Sequence, residues 1–216
     1  FSFRWYTELF QDTRIMNALT VTVTIALLAM VVATILGTLA AIGIHAMKKR
    51  PQSFMMTLTN LPNTMPDIVT GISLMLLFLF TKVDRGYVTM LLAHITFDTP
   101  YVILSVLPKL KQMNRHTYEA ALDLGATPMY ALFHVIIPEC MPGIITGAML
   151  AFTLSLDDFT ISYFTTSPLV QNLSTLIYSA ARRGIEPTLN ALSALMFVSL
   201  LVLLLIFNRR TASNND

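Results

Sequence analysis

Hydrophobic positions in this chain fall in long unbroken blocks, with neither the alternation of a half-buried strand nor the narrow stripe of a soluble amphipathic helix. Leu19–Ala46 holds no residue charged at pH 7. Phe54–Phe80 is apolar but interrupted by Pro62, Pro66 and Asp67, and Tyr87–Leu107 is apolar except for His94 and Asp98. Gly143–Phe164 carries only Asp157 and Asp158, and Leu189–Phe207 is the most uniform block, ending before Arg209 and Arg210. A bilayer core is crossed by about 20 apolar residues in a helix. Backbone groups in lipid must be bonded within the segment, so each block predicts a helix. A buried soluble helix would account for any one block; five in succession predict an all-α integral membrane protein with five visible spans.

The composition agrees. Hydrophobic residues make up 55% of the 216 residues and charged residues 12%, about half the charged share of a soluble domain. Mean hydropathy is +0.66. The net charge of +2 says nothing about nucleic acid, and the single Cys140 excludes an internal disulfide and a cysteine metal cluster. The first apolar block starts too late and runs too long for a signal peptide. The chain opens on Phe1, and a further helix is expected upstream of it.

Orientation follows from Lys and Arg. One set of loops holds Lys48, Lys49, Arg50, Lys109, Lys111, Arg115, Arg209 and Arg210; the other holds Arg4, Arg14, Lys82, Arg85, Arg182 and Arg183. The tight basic cluster and the terminal arginine pair place Met47–Ser53, the loop 108–142 and the tail 208–216 in the cytoplasm. Residues 1–18 and Thr165–Thr188 then lie outside.

The loop 108–142 has structure written into it. Thr117–Leu124 is rich in helix formers, and Gly125 stops that helix as a C-terminal cap. Thr127–Pro128 starts another, with Thr as N-cap and Pro at the first position. Pro138 and Pro142 are expected to end it. Tyr118, Ala121, Leu122 and Leu124 give the first helix an apolar face, which suits either docking into a partner or lying on the membrane.

Here the chain resembles a known family. Glu119-Ala120-Ala121, three residues, Gly125, nine residues and Val135-Ile136-Ile137-Pro138 is similar to the EAA motif of ABC-importer permeases, with Val and Ile where the family pattern has Ile and Leu. The finer resemblance is to spermidine/putrescine permeases: Met65-Pro66-Asp67-Ile68-Val69, Ala93-His94-Ile95-Thr96-Phe97, Leu122-Asp123-Leu124-Gly125-Ala126, Phe152 through Phe159, and Asn190-Ala191-Leu192 look like that branch. The resemblance implies a type I ABC-importer permease bundle with one more span ahead of the five. It implies a bacterial inner-membrane location and a coupling loop in which Glu119, Ala120, Ala121, Gly125 and Pro138 meet an ATP-binding subunit. It also implies two such subunits, a second permease subunit and an extracytoplasmic binding protein. No G-x-x-x-x-G-K-[ST] loop occurs in this chain, so ATP and Mg are expected on the partner and no cofactor on this subunit.

The membrane acids support a cationic cargo. Asp67 follows Pro66 in mid-block, and a proline-broken helix at membrane depth is a common way to build a transport site. Asp98, Asp157 and Asp158 fall inside two other blocks, each costing about 2.5–3.5 kcal/mol on insertion scales. No Lys or Arg lies inside the five blocks to neutralise them. Each acid also has a plainer reading. Asp67 suits the cap of a half-helix, and Asp98 stands one turn from His94. Asp157 and Asp158 point about 100° apart on a continuous helix, so both cannot face one pore. Thr153, Ser155, Thr160 and Ser162 suit interhelical bonding. The histidines lack metal-ligand spacing, and no nucleophile–base pair stands out, so a non-catalytic subunit is expected. Residues 172–183 read as a short external helix with Leu173, Leu176, Ile177 and Ala180 on one face; the resemblance implies Arg182 and Arg183 at its end as candidate contacts for the binding protein, and a solvated basic end is the plainer reading. The rivals are a permease for another small solute and an ion-coupled secondary transporter.

The orientation is testable. In a Cys140→Ala background, a cysteine replacing His116 should resist an impermeant thiol reagent applied to intact cells. Strong labelling would reverse the topology.

Overall fold

The computed structural model describes residues 4–182, 187–188, 190–198 and 201. In chain order the helices are α1 (Arg4–Gln11), α2 (Thr13–Ala46), α3 (Lys49–Thr64), α4 (Asp67–Phe80), α5 (Tyr87–Gln112), α6 (Arg115–Asp123) and α7 (Pro128–Ala131). A π-helical turn (Leu132–Ile136) leads into α8 (Ile137–Asp157), followed by α9 (Thr160–Thr165) and α10 (Leu173–Ala181). Residues 190–198 are also helical. The fold is all-α among the described residues. Residues 189, 199–200 and 202–207 of the expected span 189–207 fall outside them, as do Arg183 and the tail.

Among the described residues, three helices are long and apolar enough to cross a membrane: α2, α5, and the continuous run Pro128–Asp157. α3 and α4 pass the same test only as a pair, bent by 104° at Met65–Pro66. The block 54–80 is therefore two helices, broken where the sequence places Pro66. Pro66 lacks an N–H to continue α3 and disfavours helical geometry in the residue before it.

The chain forms two compact units, residues 1–22 with 168–216, and residues 23–167. In the first, Leu9, Ile15, Ala18, Leu173, Ala191 and Leu192 make the core, with Leu176, Ile177 and Ala180 packed on it. These are the apolar positions read from the sequence of α10. Asn172 caps α10 by accepting from Thr175 N at 3.0 Å. At the start of α2, Asp12 accepts from Arg14 N at 2.8 Å and pairs with its guanidinium at 2.9 Å. The Arg14 hydrogen bond holds the Asp12 carboxyl below its ordinary pKa.

In the second unit α5 is the axis. Val102, Ile103, Val106, Leu107 and Leu110 bury against Ala33, Ala41 and Ile44 of α2 and Cys140 and Ala151 of α8. The approach of α8 to α5 depends on a stripe of small buried residues four apart: Gly143, Gly147, Ala151 and Ser155. A methyl at Gly143 would lie 2.8 Å from Ser105 O, and one at Gly147 would lie 3.1 Å from Val102 Cα. Lipid gives helices no hydrophobic reason to associate, so close contact of small residues supplies the packing energy.

One expectation is overturned. Pro138 and Pro142 do not end the helix that starts at Thr127–Pro128; it continues to Asp157. Ile137 N donates to Leu132 O, the wide register of a π turn. Pro138 follows directly on that turn, and such a local π adjustment lets a continuous membrane helix absorb the proline's missing N–H. Pro142 lies inside α8, where membrane helices tolerate proline. α5 also extends to Gln112, so Lys109 and Lys111 sit on its last turn, where cations complement the helix dipole.

The packing account separates two glycines. Gly143→Ala should lower the thermal stability of the purified protein by about 1–3 kcal/mol through overpacking. At Gly43 an added methyl would meet nothing within 4 Å, so Ala there should be tolerated or gain up to about 1 kcal/mol. Equal melting temperatures for the two variants would contradict this packing.

Candidate functional site

The acids at membrane depth divide into two kinds. Asp67 is exposed and opens α4 immediately after Pro66, with its carboxylate at the positive end of that helix. Asp157 is exposed and closes α8. Asp98 is fully buried on α5, and the Asp158 side chain is 8% exposed.

The block 143–164 does not form one helix, so the 100° separation expected of Asp157 and Asp158 does not apply. α8 ends at Asp157, Asp158 is extended, and α9 starts at Thr160. The break leaves amides at the start of α9 without intrahelical partners. Asp158 supplies them: Oδ1 accepts from Ile161 N at 3.2 Å and Oδ2 from Ser162 N at 2.7 Å.

Behind the break runs a buried polar chain. Ser155 Oγ, in the last turns of α8, donates to Asp98 Oδ2 at 2.9 Å. His94 Nδ1 stands 2.7 Å from the same hydroxyl, and His94 Nε2 stands 2.9 Å from Ser162 Oγ on α9. Nε2 is also 3.6 Å from Asp158 Oδ2. With Ser155 giving its proton to Asp98, His94 Nδ1 is the donor to Ser155, and a neutral imidazole then accepts at Nε2. One turn further along α5, Thr89 Oγ1 donates to Thr165 O at the end of α9, 2.9 Å away. Asp98 Oδ1 is buried without a hydrogen-bond partner among the described residues. Asp98 and His94 are therefore linked through Ser155; of the four interhelical bonding groups the sequence suggested, Ser155 and Ser162 play that part, while Thr153 donates within α8 to Met149 O.

On the other side of α9, α4 packs closely. A methyl at Gly71 would meet Phe164 Cδ2 at 2.9 Å and Thr160 O at 3.4 Å. Phe78, Ala93, Phe97 and Ile161 form the apolar cluster among α4, α5 and α9. The two broken elements, one opening at Asp67 and the other interrupted at Asp158, thus lie against each other. The His94-centred chain is the part a linear reading missed. Its signals were the polar residues Thr89, His94 and Asp98 on one block, and the four-residue small stripe that leads to Ser155.

The elbow forms a second region. Gly125 adopts φ +88°, the left-handed region glycine favours. Ala126 N donates to Ala121 O at 3.0 Å and Gly125 N to Leu122 O at 2.9 Å, the paired bonds of a Schellman cap. Thr127 Oγ1 accepts from Tyr130 N at 3.3 Å to start α7. The elbow encloses an apolar groove of about 490 Å³ lined in part by Ala121, Leu124, Ala126, Tyr130 and Val135. Leu124 is 89% exposed and Met129 62%. Glu119 and Ala120 are exposed on α6, and Glu119 pairs with His116 at 3.3 Å. Pro138 stands at the start of α8, beyond the π turn.

Comparison with known proteins places this architecture. Residues 33–211 match the family described as the binding-protein-dependent transport system inner membrane component. The putrescine transport system permease protein PotI of Escherichia coli is 42% identical over 202 residues, covering 90% of this chain and 72% of the relative. The spermidine/putrescine transport system permease protein PotC of Haemophilus influenzae is 35% identical over 215 residues, covering 100% of this chain and 84% of the relative. Among solved structures, a bacterial ABC transporter involved in the import of the acidic polysaccharide alginate aligns with TM-score 0.75 at 17% identity, covering 98% of this chain and 83% of that one. The MetNI methionine ABC transporter aligns with TM-score 0.68 at 16% identity, covering 94% and 98%. This chain is a multi-pass permease subunit that belongs to the family of inner-membrane components of binding-protein-dependent transport systems.

Proposed function

We propose that this subunit forms part of the translocation pathway of an ATP-driven importer for polyamines. The observation that carries the substrate class is the 42% identity to a putrescine permease over 90% of the chain. The arrangement of the acids supports it. Asp67 and Asp157 are exposed at the ends of broken elements, suited to a passing amine. Asp98 and Asp158 stand behind them as part of the same pathway, engaged with Ser155 and with the amides of α9. Half-helix ends at membrane depth leave polar groups available to a cargo without unfolding the bundle.

The subunit itself performs no chemistry in this reading. Two ATP-binding subunits hydrolyse ATP with Mg. A second permease subunit completes the pathway, and an extracytoplasmic binding protein delivers the polyamine. The elbow supplies the mechanical link. Its exposed Leu124 and Met129 and its apolar groove are suited to seat in a partner's cleft. Glu119 can exchange its weak surface contact with His116 for a basic residue there. Closure of the ATP-bound partner would push α6 and α7, and the unbroken run from Pro128 to Asp157 would carry that displacement to the break at Asp158.

Two sets of variants test the reading in the reconstituted transporter. Glu119→Lys should reduce uptake and stimulated ATP hydrolysis while leaving the chain inserted, because a partly desolvated ion pair is worth about 2–5 kcal/mol when broken. Gly125→Val should do the same by opposing a positive φ. Wild-type uptake in both would remove the coupling role of the elbow.

For the cargo, Asp67→Asn and Asp157→Asn keep side-chain size and remove charge. One charge pair at about 4 Å and an effective dielectric near 20 is worth on the order of 4 kcal/mol before desolvation. A remainder of about 1.4 kcal/mol after desolvation raises half-saturation for putrescine about tenfold. Unchanged half-saturation in both variants, with expression matched, would show that neither carboxylate meets the cargo.

A further inference from the structure

The break between α8 and α9 is bridged from α5 by one side chain. His94 touches Ser155 on the α8 side at 2.7 Å and Ser162 on the α9 side at 2.9 Å. Its imidazole is 1% exposed. The flanking bonds on α5 reinforce it: Asp98 holds Ser155, and Thr89 holds the far end of α9. Asp158 is extended between α8 and α9, so they are not one continuous helix. The polar side-chain bonds from α5 reach both pieces, while the two amides that Asp158 caps both belong to α9.

We propose that His94 is a positioning residue, a clamp that fixes the angle of the α8–α9 break and thereby where α9 stands relative to the Asp157 carboxylate that meets the cargo. Three features carry this. The imidazole offers one donor and one acceptor on opposite sides of a rigid ring, which matches one serine on each piece. Both serines are buried. The small stripe Gly143, Gly147 and Ala151 holds α8 against α5 below the break, and α9 is held on its other side by α4 through Gly71 and Phe164, so the clamp acts where the two pieces meet. The inference rests on the reading of Asp157 as a pathway residue only in its functional half; the geometric half stands on the hydrogen bonds alone.

The test uses the transporter assembled with its partners in lipid nanodiscs. Spin labels at Leu150→Cys on α8 and Tyr163→Cys on α9, in a Cys140→Ala background, report the distance across the break. Wild-type His94 should give one narrow distance distribution. His94→Phe, which keeps a flat ring and removes both hydrogen bonds, should broaden it and raise half-saturation for putrescine about threefold per lost bond. His94→Gln retains one donor and one acceptor and should restore the narrow distribution. An unchanged distribution in His94→Phe would overturn the clamp. If His94→Phe fails to assemble, Ser162→Ala removes a single hydroxyl from the α9 side, and it should broaden the distribution; an unchanged distribution there overturns the clamp equally. Broadening with unchanged half-saturation would uphold the clamp and remove Asp157 from the pathway.

Discussion

Polar groups at membrane depth must find their partners within the protein, and the arrangement around α5 follows from that constraint. A carboxylate, an imidazole and several hydroxyls cannot turn to water in the bilayer, and each unsatisfied group costs several kcal/mol. The chain meets most of the demand by placing Thr89, His94 and Asp98 along one buried length of α5 and aiming them at Thr165, Ser162 and Ser155, with Asp98 Oδ1 left over among the described residues. These bonds permit what lipid otherwise forbids, a helix interrupted inside the bundle. Asp158 satisfies the amides that the interruption exposes. Glycine and alanine on α8 then let the two axes approach closely enough for the bonds to form.

Function grows from the same interruption. A continuous α8 would bond every backbone group internally and offer a cargo only side chains. A helix that stops at Asp157 and restarts at Thr160 also presents an exposed carboxylate at the break itself. α4, which starts anew at Asp67 after a 104° bend, packs on the restarted piece through Gly71 and Phe164. The elbow at Gly125 sits at the other end of the same continuous run, Pro128–Asp157. One continuous helical run therefore connects the exposed apolar groove to the broken helix, the connection that the proposed coupling of ATP hydrolysis to transport uses.

The linear sequence carried the features set by local chemistry. The left-handed Gly125, the Thr127 cap, the α10 face and the break at Pro66 each follow from residue types acting within a few positions. The EAA spacing from Glu119 to Pro138 pointed to the family that the comparisons bear out. Features that depend on what lies across a helix interface were harder to see. Pro138 and Pro142 look like terminators until the π turn at Leu132–Ile136 shifts the register ahead of them. Asp157 and Asp158 look like neighbours on one helix until the partners of Asp158 show that the helix has ended. His94 looked like a partner for Asp98 because they are one turn apart; Ser155, 57 positions away from Asp98, stands between them.

The central claim is that ATP hydrolysis by partner subunits drives a polyamine through a pathway this chain helps to form. Proteoliposomes containing the complete transporter, with the binding protein outside and ATP enclosed, measure it most directly through uptake of labelled putrescine. The account predicts uptake that requires enclosed ATP, stops with a non-hydrolysable analogue and survives a protonophore. Uptake that continues without ATP and collapses with the protonophore would contradict it.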